Sequence, residues 1–170
     1  MKNVFALLAV LPLALGQTVY LIRHGEKPAD GSNGLNSQGQ QRAQCLKNVF
    51  GSSSGYNIGY ILAQKPKKDG SRIRPYQTVQ PLAQSLGLTV DTHCDRDDSD
   101  CVASAVDNYS GAGNILICWE HDALTDIVDA LGDSNPPSYP SSRFDIIWTD
   151  PSPYNSITSM TSEHCPGLDS

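Results

Sequence analysis

The apolar run Val19-Tyr20-Leu21-Ile22 has no polar interruption and stops abruptly at Arg23-His24-Gly25-Glu26. β-branched, aromatic and aliphatic residues in unbroken succession predict a strand covered on both faces. The four residues that follow have no packing role in a strand. In open α/β sheets the ligand chemistry gathers where strands end, so this tetrad is the first candidate for a site.

The same alternation of patterns continues along the chain. A Gly/Ser/Asn loop, Asp30 to Asn36, leads to a helix predicted over Ser37–Phe50, where Ala43, Leu46 and Phe50 fall at helical spacing. Gly51-Ser52-Ser53-Ser54-Gly55 ends it. A second strand is expected over Ile58–Ala63, then a basic loop holding Lys65, Lys67, Lys68 and Arg72. Arg74-Pro75 opens another helix, with proline suited to the first turn and Gly87 as its stop. Further along come a short strand over Leu88–Asp91, a helix over Val102–Tyr109, a strand over Ile115–Cys118 and a helix over Ala123–Leu131. After a Pro/Ser loop, Asn135 to Ser142, two last strands are expected near Phe144–Thr149 and Ser156–Thr161. Strands alternating with helices predict a single α/β domain, a mostly parallel sheet with helices on both faces.

The N-terminus has a different pattern. Lys2, the apolar stretch Val4 to Leu15 and the small residues Ala14-Leu15-Gly16 fit a signal peptide spanning residues 1–16. That stretch is short for a permanent membrane span. The expectation is a secreted protein whose domain occupies residues 17–170. A net charge of −6 argues against nucleic acid or an anionic membrane as partner. No other segment is apolar enough to span a bilayer, and a monomer is expected.

Five cysteines allow two bridges with one left over. Cys94 and Cys101 flank the polar loop Asp95-Arg96-Asp97-Asp98-Ser99-Asp100, where a short staple is expected. Cys118 ends an apolar strand and is expected as a buried free thiol. Cys45 and Cys165 remain as a second pair, although sequence alone leaves the connectivity open. The spacing of the cysteines does not suit a metal centre. Asn108-Tyr109-Ser110 is an N-glycosylation acceptor pattern.

Three further motifs stand in order along the chain: Leu35-Asn36-Ser37-Gln38-Gly39, Arg74-Pro75-Tyr76-Gln77-Thr78, and Ile115-Leu116-Ile117-Cys118-Trp119-Glu120-His121. With Arg23-His24-Gly25-Glu26 they resemble the signatures of the histidine phosphatase superfamily, the phosphoglycerate-mutase-like enzymes, over most of the residues after the signal peptide. The resemblance implies a metal-independent phosphatase with no cofactor, acting on small phosphorylated substrates. His24 would be the nucleophile that forms a phosphohistidine. Arg23 and Arg74 would offer planar forks of donors to phosphoryl oxygens, and His121 would donate to the same oxygens. Gly25 would admit the backbone closely, and Glu26 would support Arg23 or the pocket.

The leaving-group acid is less determined. Asp122 follows His121 directly, as in the acid-phosphatase branch of the superfamily. Asp97 and Asp98 are the alternatives, in a region where the mutase-like branch has a glutamate that this chain lacks. That missing glutamate keeps open a second function class, a secreted pseudo-phosphatase that binds an anionic or phosphorylated ligand. His93 and His164 are expected at the surface or in packing.

Overall fold

The structure is a computed structural model that describes residues 16–168. The predicted signal peptide lies outside these residues except for Gly16. Among the described residues no helix is long and apolar enough to cross a membrane.

Ten elements follow in chain order: β1 (Thr18–Arg23), α1 (Ser37–Val49), β2 (Ile58–Ala63), α2 (Arg74–Leu86), β3 (Val90–Asp91), α3 (Ser99–Asn108), β4 (Asn114–Trp119), α4 (His121–Leu131), β5 (Ile146–Pro151) and β6 (Ser159–Ser162). They build one six-stranded sheet in the order β3-β2-β4-β1-β5-β6. β3, β2, β4 and β1 pair in parallel, while β5 runs antiparallel to both β1 and β6. The third strand is shorter than Leu88–Asp91, because Gly87 caps α2 in the left-handed region and the Leu88 amide is spent on the Ala83 carbonyl. The last two strands begin two and three residues later than the pattern suggested, at Ile146 and Ser159.

Strand periodicity divides the core in two. Val19 and Leu21 of β1 join Trp119, Leu124, Ile127 and Trp148 on the face covered by α3 and α4. Ile22 joins Leu46, Phe50, Val79, Leu82 and Cys118 on the face covered by α1 and α2. The apolar strands β1 and β4 are neighbours at the centre, which explains their unbroken hydrophobic runs. Their carboxyl ends adjoin: Arg23 pairs with Trp119, and the His24 amide donates to the Trp119 carbonyl at 3.0 Å. The connections leave β1 and β4 towards opposite edges of the sheet, so this is the topological switch point.

Both expected disulfides form, Cys45–Cys165 and Cys94–Cys101, and Cys118 is free and buried. The first bridge ties the C-terminal segment to α1 beside a buried charge cluster. Arg42, 1 % exposed, donates to both oxygens of Glu26, to Glu163 Oε2 at 2.6 Å and to the Leu168 carbonyl. Glu26 was expected to support Arg23 or the pocket; its ion-pair partner is Arg42.

At the opposite end of the sheet from the switch point, Asp150 is fully buried and neither carboxylate oxygen has a hydrogen-bond partner. Burial, and then the charge of nearby Asp133, push its pKa up from 3.8 to about 7. The folded protein thus holds the neutral form over a range in which the unfolded chain is ionised. Stability from this group is fully present below about pH 4, is lost as pH rises to about 7, and stays low above that. We expect urea unfolding to show a loss on the order of 3–4 kcal/mol across this range, and Asp150→Asn to flatten it. An unchanged pH slope in the variant would contradict this account.

Candidate active site

Four chain segments meet at the carboxyl ends of β1, β2 and β4, and local interactions position each of them. The β1 alternation turns Arg23 and His24 in different directions. Arg23 Nη1 donates to the carbonyls of Ser141 and Arg143, each at 2.7 Å, and its guanidinium lies 3.7 Å from the Phe144 ring centroid. Arg23 Nε is buried without a partner. Burial lowers the pKa of this guanidinium, and Tyr139 and Glu120 oppose the shift.

His24 is 4 % exposed, and its Nδ1 lies 2.7 Å from the Gly25 carbonyl. A carbonyl can only accept, so Nδ1 carries the proton and Nε2 keeps its lone pair. Burial lowers the pKa of His24 to about 4; the Gly25 hydrogen bond opposes this, and the charges of Arg23 and Arg74 reinforce it. The ring is therefore neutral at ordinary pH.

Gly25 and Gly39 explain two of the motifs together. A Cβ on Gly25 would meet the Gly39 backbone at 3.0 Å, and one on Gly39 would meet the Glu26 carbonyl oxygen at 2.5 Å. Only glycines let α1 pack directly on the tetrad. Asn36 caps that helix by accepting from the Gly39 amide at 2.9 Å.

The third motif has a similar logic. Thr78 Oγ1 accepts from the Gly25 amide at 2.8 Å and donates to the Arg74 carbonyl. Gln77 Oε1 accepts from the Leu35 amide. Arg74, which lines the pocket described next, is held by the carbonyls of Gly34 and Ser32, each at 2.8 Å, through Nε and Nη2.

A pocket of about 160 Å³ is lined by His24, Gln64, Arg72, Arg74, Arg96 and Glu120. Larger clefts, such as one of about 420 Å³ along Tyr60 and Tyr109, contain none of these residues. Arg96 donates to Glu120 Oε2 at 2.5 Å and is also paired with Asp97. Burial pushes the Glu120 carboxyl up, but Arg96 and the charge of His121 outweigh it, so its pKa lies below the ordinary value.

His121 begins α4, with Nδ1 2.7 Å from Glu120 Oε1 and Nε2 3.1 Å from Asp122 Oδ1. Nδ1 lies close to that oxygen without hydrogen-bond geometry. One ligand atom from each of Glu120, His121 and Asp122 lies within 4.8 Å of the others.

The expected residues are thus only partly assembled. His24 and Arg74 share the pocket, while Gly25 packs on Gly39 and is held by Thr78. Arg23 and His121 flank it, engaged with the loop after α4 and with the two acids. The Asp122 side chain is 71 % exposed and does not line the pocket. Asp98 is used as the N-cap of α3, and Asp97 sits on the rim, paired with Arg96 and with Arg72. Glu120, Arg96, Arg72 and Gln64 were not singled out from sequence. Glu120 stands next to His121 within the fourth motif, and this was the one available signal. His93 and His164 are exposed, and His93 pairs with Asp91.

No protein-family model matches the chain, and no curated protein matches it. Solved structures do. The protein histidine phosphatase SixA complexed with tungstate matches with a TM-score of 0.63 at 16% identity, covering 86% of this chain and 97% of that one. A structure described as an alpha-ribazole-5'-P phosphatase from Escherichia coli gives 0.61 at 13% identity, covering 88% and 99%. Phosphoserine phosphatase from Entamoeba histolytica, in complex with 3-phosphoglyceric acid, gives 0.55 at 15% identity, covering 86% and 97%. The strand order, the four helices and these similarities agree: the chain has the fold of the histidine phosphatases, the phosphoglycerate-mutase-like α/β fold.

Proposed function

We propose that this protein is a secreted phosphatase that hydrolyses small phosphomonoesters through His24, with no requirement for a metal. The observation that carries the reading is the state of His24. It is a neutral imidazole with Nδ1 tethered and Nε2 free, in a pocket that also presents the guanidinium groups of Arg74 and Arg96. The phosphatases of the same fold support it, and two disulfides fit an oxidising compartment.

In the first step His24 Nε2 attacks phosphorus and the ester P–O bond breaks. Negative charge on the equatorial oxygens is met by fixed guanidinium donors, Arg74 foremost. The leaving alkoxide takes a proton from a carboxyl group, and we assign that role to Glu120, the carboxyl that lines the pocket. A bound phosphate dianion places like charge beside Glu120 and raises its pKa towards one useful for an acid. In the second step water attacks the phosphohistidine, Glu120 takes the water's proton, and phosphate leaves with His24 restored. The exposed Asp122 is the competing assignment.

Phosphate should be found on His24 after a rapid acid-free quench, and turnover should survive chelators. For an aryl phosphate, whose phenol leaves without the Glu120 proton, kcat/KM should hold on the enzyme side as pH falls to about 5 and drop through about 4, where His24 of the free enzyme takes up a proton. Phosphate trapped on another residue would overturn the mechanism.

Arg74→Lys keeps charge but loses the planar fork held by Gly34 and Ser32. Its kcat/KM should fall some tens to hundreds of fold, about 2–4 kcal/mol of transition-state stabilisation. Wild-type values would put Arg74 outside the reacting pocket.

Glu120→Gln should slow an alkyl phosphate by about 10²–10⁴-fold while sparing an aryl phosphate whose phenol leaves unaided. Asp122→Asn should treat the two substrates alike. The reverse pattern returns the proton to Asp122, and no leaving-group dependence in either variant favours a protein that only binds anionic ligands.

A further inference from the structure

Asp150 brings together full burial, a carboxylate and two oxygens with no hydrogen-bond partner. Buried carboxylates are ordinarily paired, hydrogen-bonded or bound to a metal ion. The protonated form described above loses the charge but keeps the deficit, because a buried O–H and a buried carbonyl oxygen still lack partners. A cation meets the need of both oxygens at once.

The strand register shows which way this side chain faces. Asp150 is paired with Val19 across β1 and β5, and cross-strand partners share a face. That face is the one covered by α4, where Val19 and Trp148 pack. α4 ends at Leu131, and Asp133, 5 % exposed, follows it. Among the described residues the charge that acts on Asp150 is that of Asp133, of the same sign. Two buried carboxylates are thus neighbours.

The other groups near them are neutral oxygen donors. A Cβ on Gly132 would meet the Tyr154 carbonyl oxygen at 3.2 Å and the Pro153 carbonyl oxygen at 3.9 Å. The carbonyls of the loop after β5 therefore lie against the turn that carries Asp133. A cleft of about 370 Å³ opens beside that turn, lined by Asp133 with Asn135, Asn155 and Ser156, and by no lysine or arginine.

We propose that Asp133 and Asp150 hold a calcium ion, completed by carbonyl and amide oxygens of the turn after α4 and the loop after β5. Hard oxygen donors of mixed type in irregular array suit calcium. Magnesium demands near-ideal octahedral geometry and keeps its water, and zinc or copper prefer nitrogen and sulfur. The ion is structural: it cancels two buried negative charges and ties the end of α4 to the loop after β5. It takes no part in chemistry at His24, which lies at the opposite end of the sheet. The pH-dependent loss of stability described for Asp150 belongs to the ion-free protein.

Thermal unfolding of the intact protein at neutral to mildly alkaline pH tests the site, in EDTA against calcium chloride, with magnesium chloride as the control for ionic strength. A site of this type binds with a Kd on the order of 10⁻⁴–10⁻³ M, so about 10 mM calcium should raise Tm by about 3–10 °C. Magnesium should do much less. Equilibrium dialysis should find one calcium ion per chain, weakened tenfold or more by Asp133→Asn and by Asp150→Asn. Asp150→Asn removes a buried charge, so its Tm in EDTA should equal or exceed that of the wild type, which shows that lost binding is not lost folding. No calcium shift in the wild type, an equal shift with magnesium, or binding that survives both variants overturns the site. All of these readouts are independent of turnover, so the site stands or falls separately from the phosphatase reading.

Discussion

A neutral imidazole kept within a wall of guanidinium groups is the constraint on which this site depends. Burial disfavours a positive ring, and the charges of Arg23 and Arg74 add to the penalty, so His24 stays unprotonated well below neutral pH. Arg74, one of the cations that help hold the proton off His24, also lines the pocket. Burial and these cations therefore set the protonation state of His24, and the guanidinium groups lining the pocket set its charge preference. Only the proton on Nδ1 has to be placed separately, and the adjoining Gly25 carbonyl does that.

Such an arrangement needs a rigid frame, because like charges close together tend to move apart. The frame is built from short contacts between segments distant in sequence. Gly25 rests on Gly39, its amide is held by Thr78, and Gln77 fixes Leu35. Glu26 is gripped by Arg42, which also binds Glu163 and the Leu168 carbonyl. Removing one member of a buried cluster of this type leaves an uncompensated charge and typically costs about 3–5 kcal/mol. The Cys45–Cys165 bridge lies one helical turn from Arg42 and ties down the same C-terminal segment. The end of β1 and the C-terminal segment are thus parts of one clamp.

Much of this was legible from sequence because its signals are local. Unbroken apolar runs marked β1 and β4, while Asn36, Pro75 and Gly87 marked helix ends through backbone chemistry that acts within a few residues. The staple between Cys94 and Cys101 was readable for the same reason. Pairings across the fold were not. Nothing near Glu26 announces Arg42 as its partner, and nothing near Arg96 announces Glu120. Asp122 was favoured for its neighbour in sequence, but the first turn of a helix turns successive side chains to different sides, and its carboxylate faces solvent. The strand-end residue Glu120, in extended backbone ahead of that turn, is the one that lines the pocket.

The two charged loops show why composition misleads about the pocket. Read as strings, one is basic and the other acidic, and their pull on an anionic ligand is undecided. Folded together they pair: Lys65 with Asp95, Arg72 and Arg96 with Asp97, while Asp98 caps α3. The acids that would repel an anion are thereby engaged at the rim, and the pocket lining keeps its excess of guanidinium groups. A net charge of −6 over the chain does not oppose anion binding at a site with this lining. Field at a concave, low-dielectric surface follows the charges that line it, while charges spread over the outer surface are screened beyond about 10 Å. What sets the charge of the pocket is the local sum of Arg72, Arg74 and Arg96 against Glu120, and that sum exists only once the sheet has brought four distant segments to one edge.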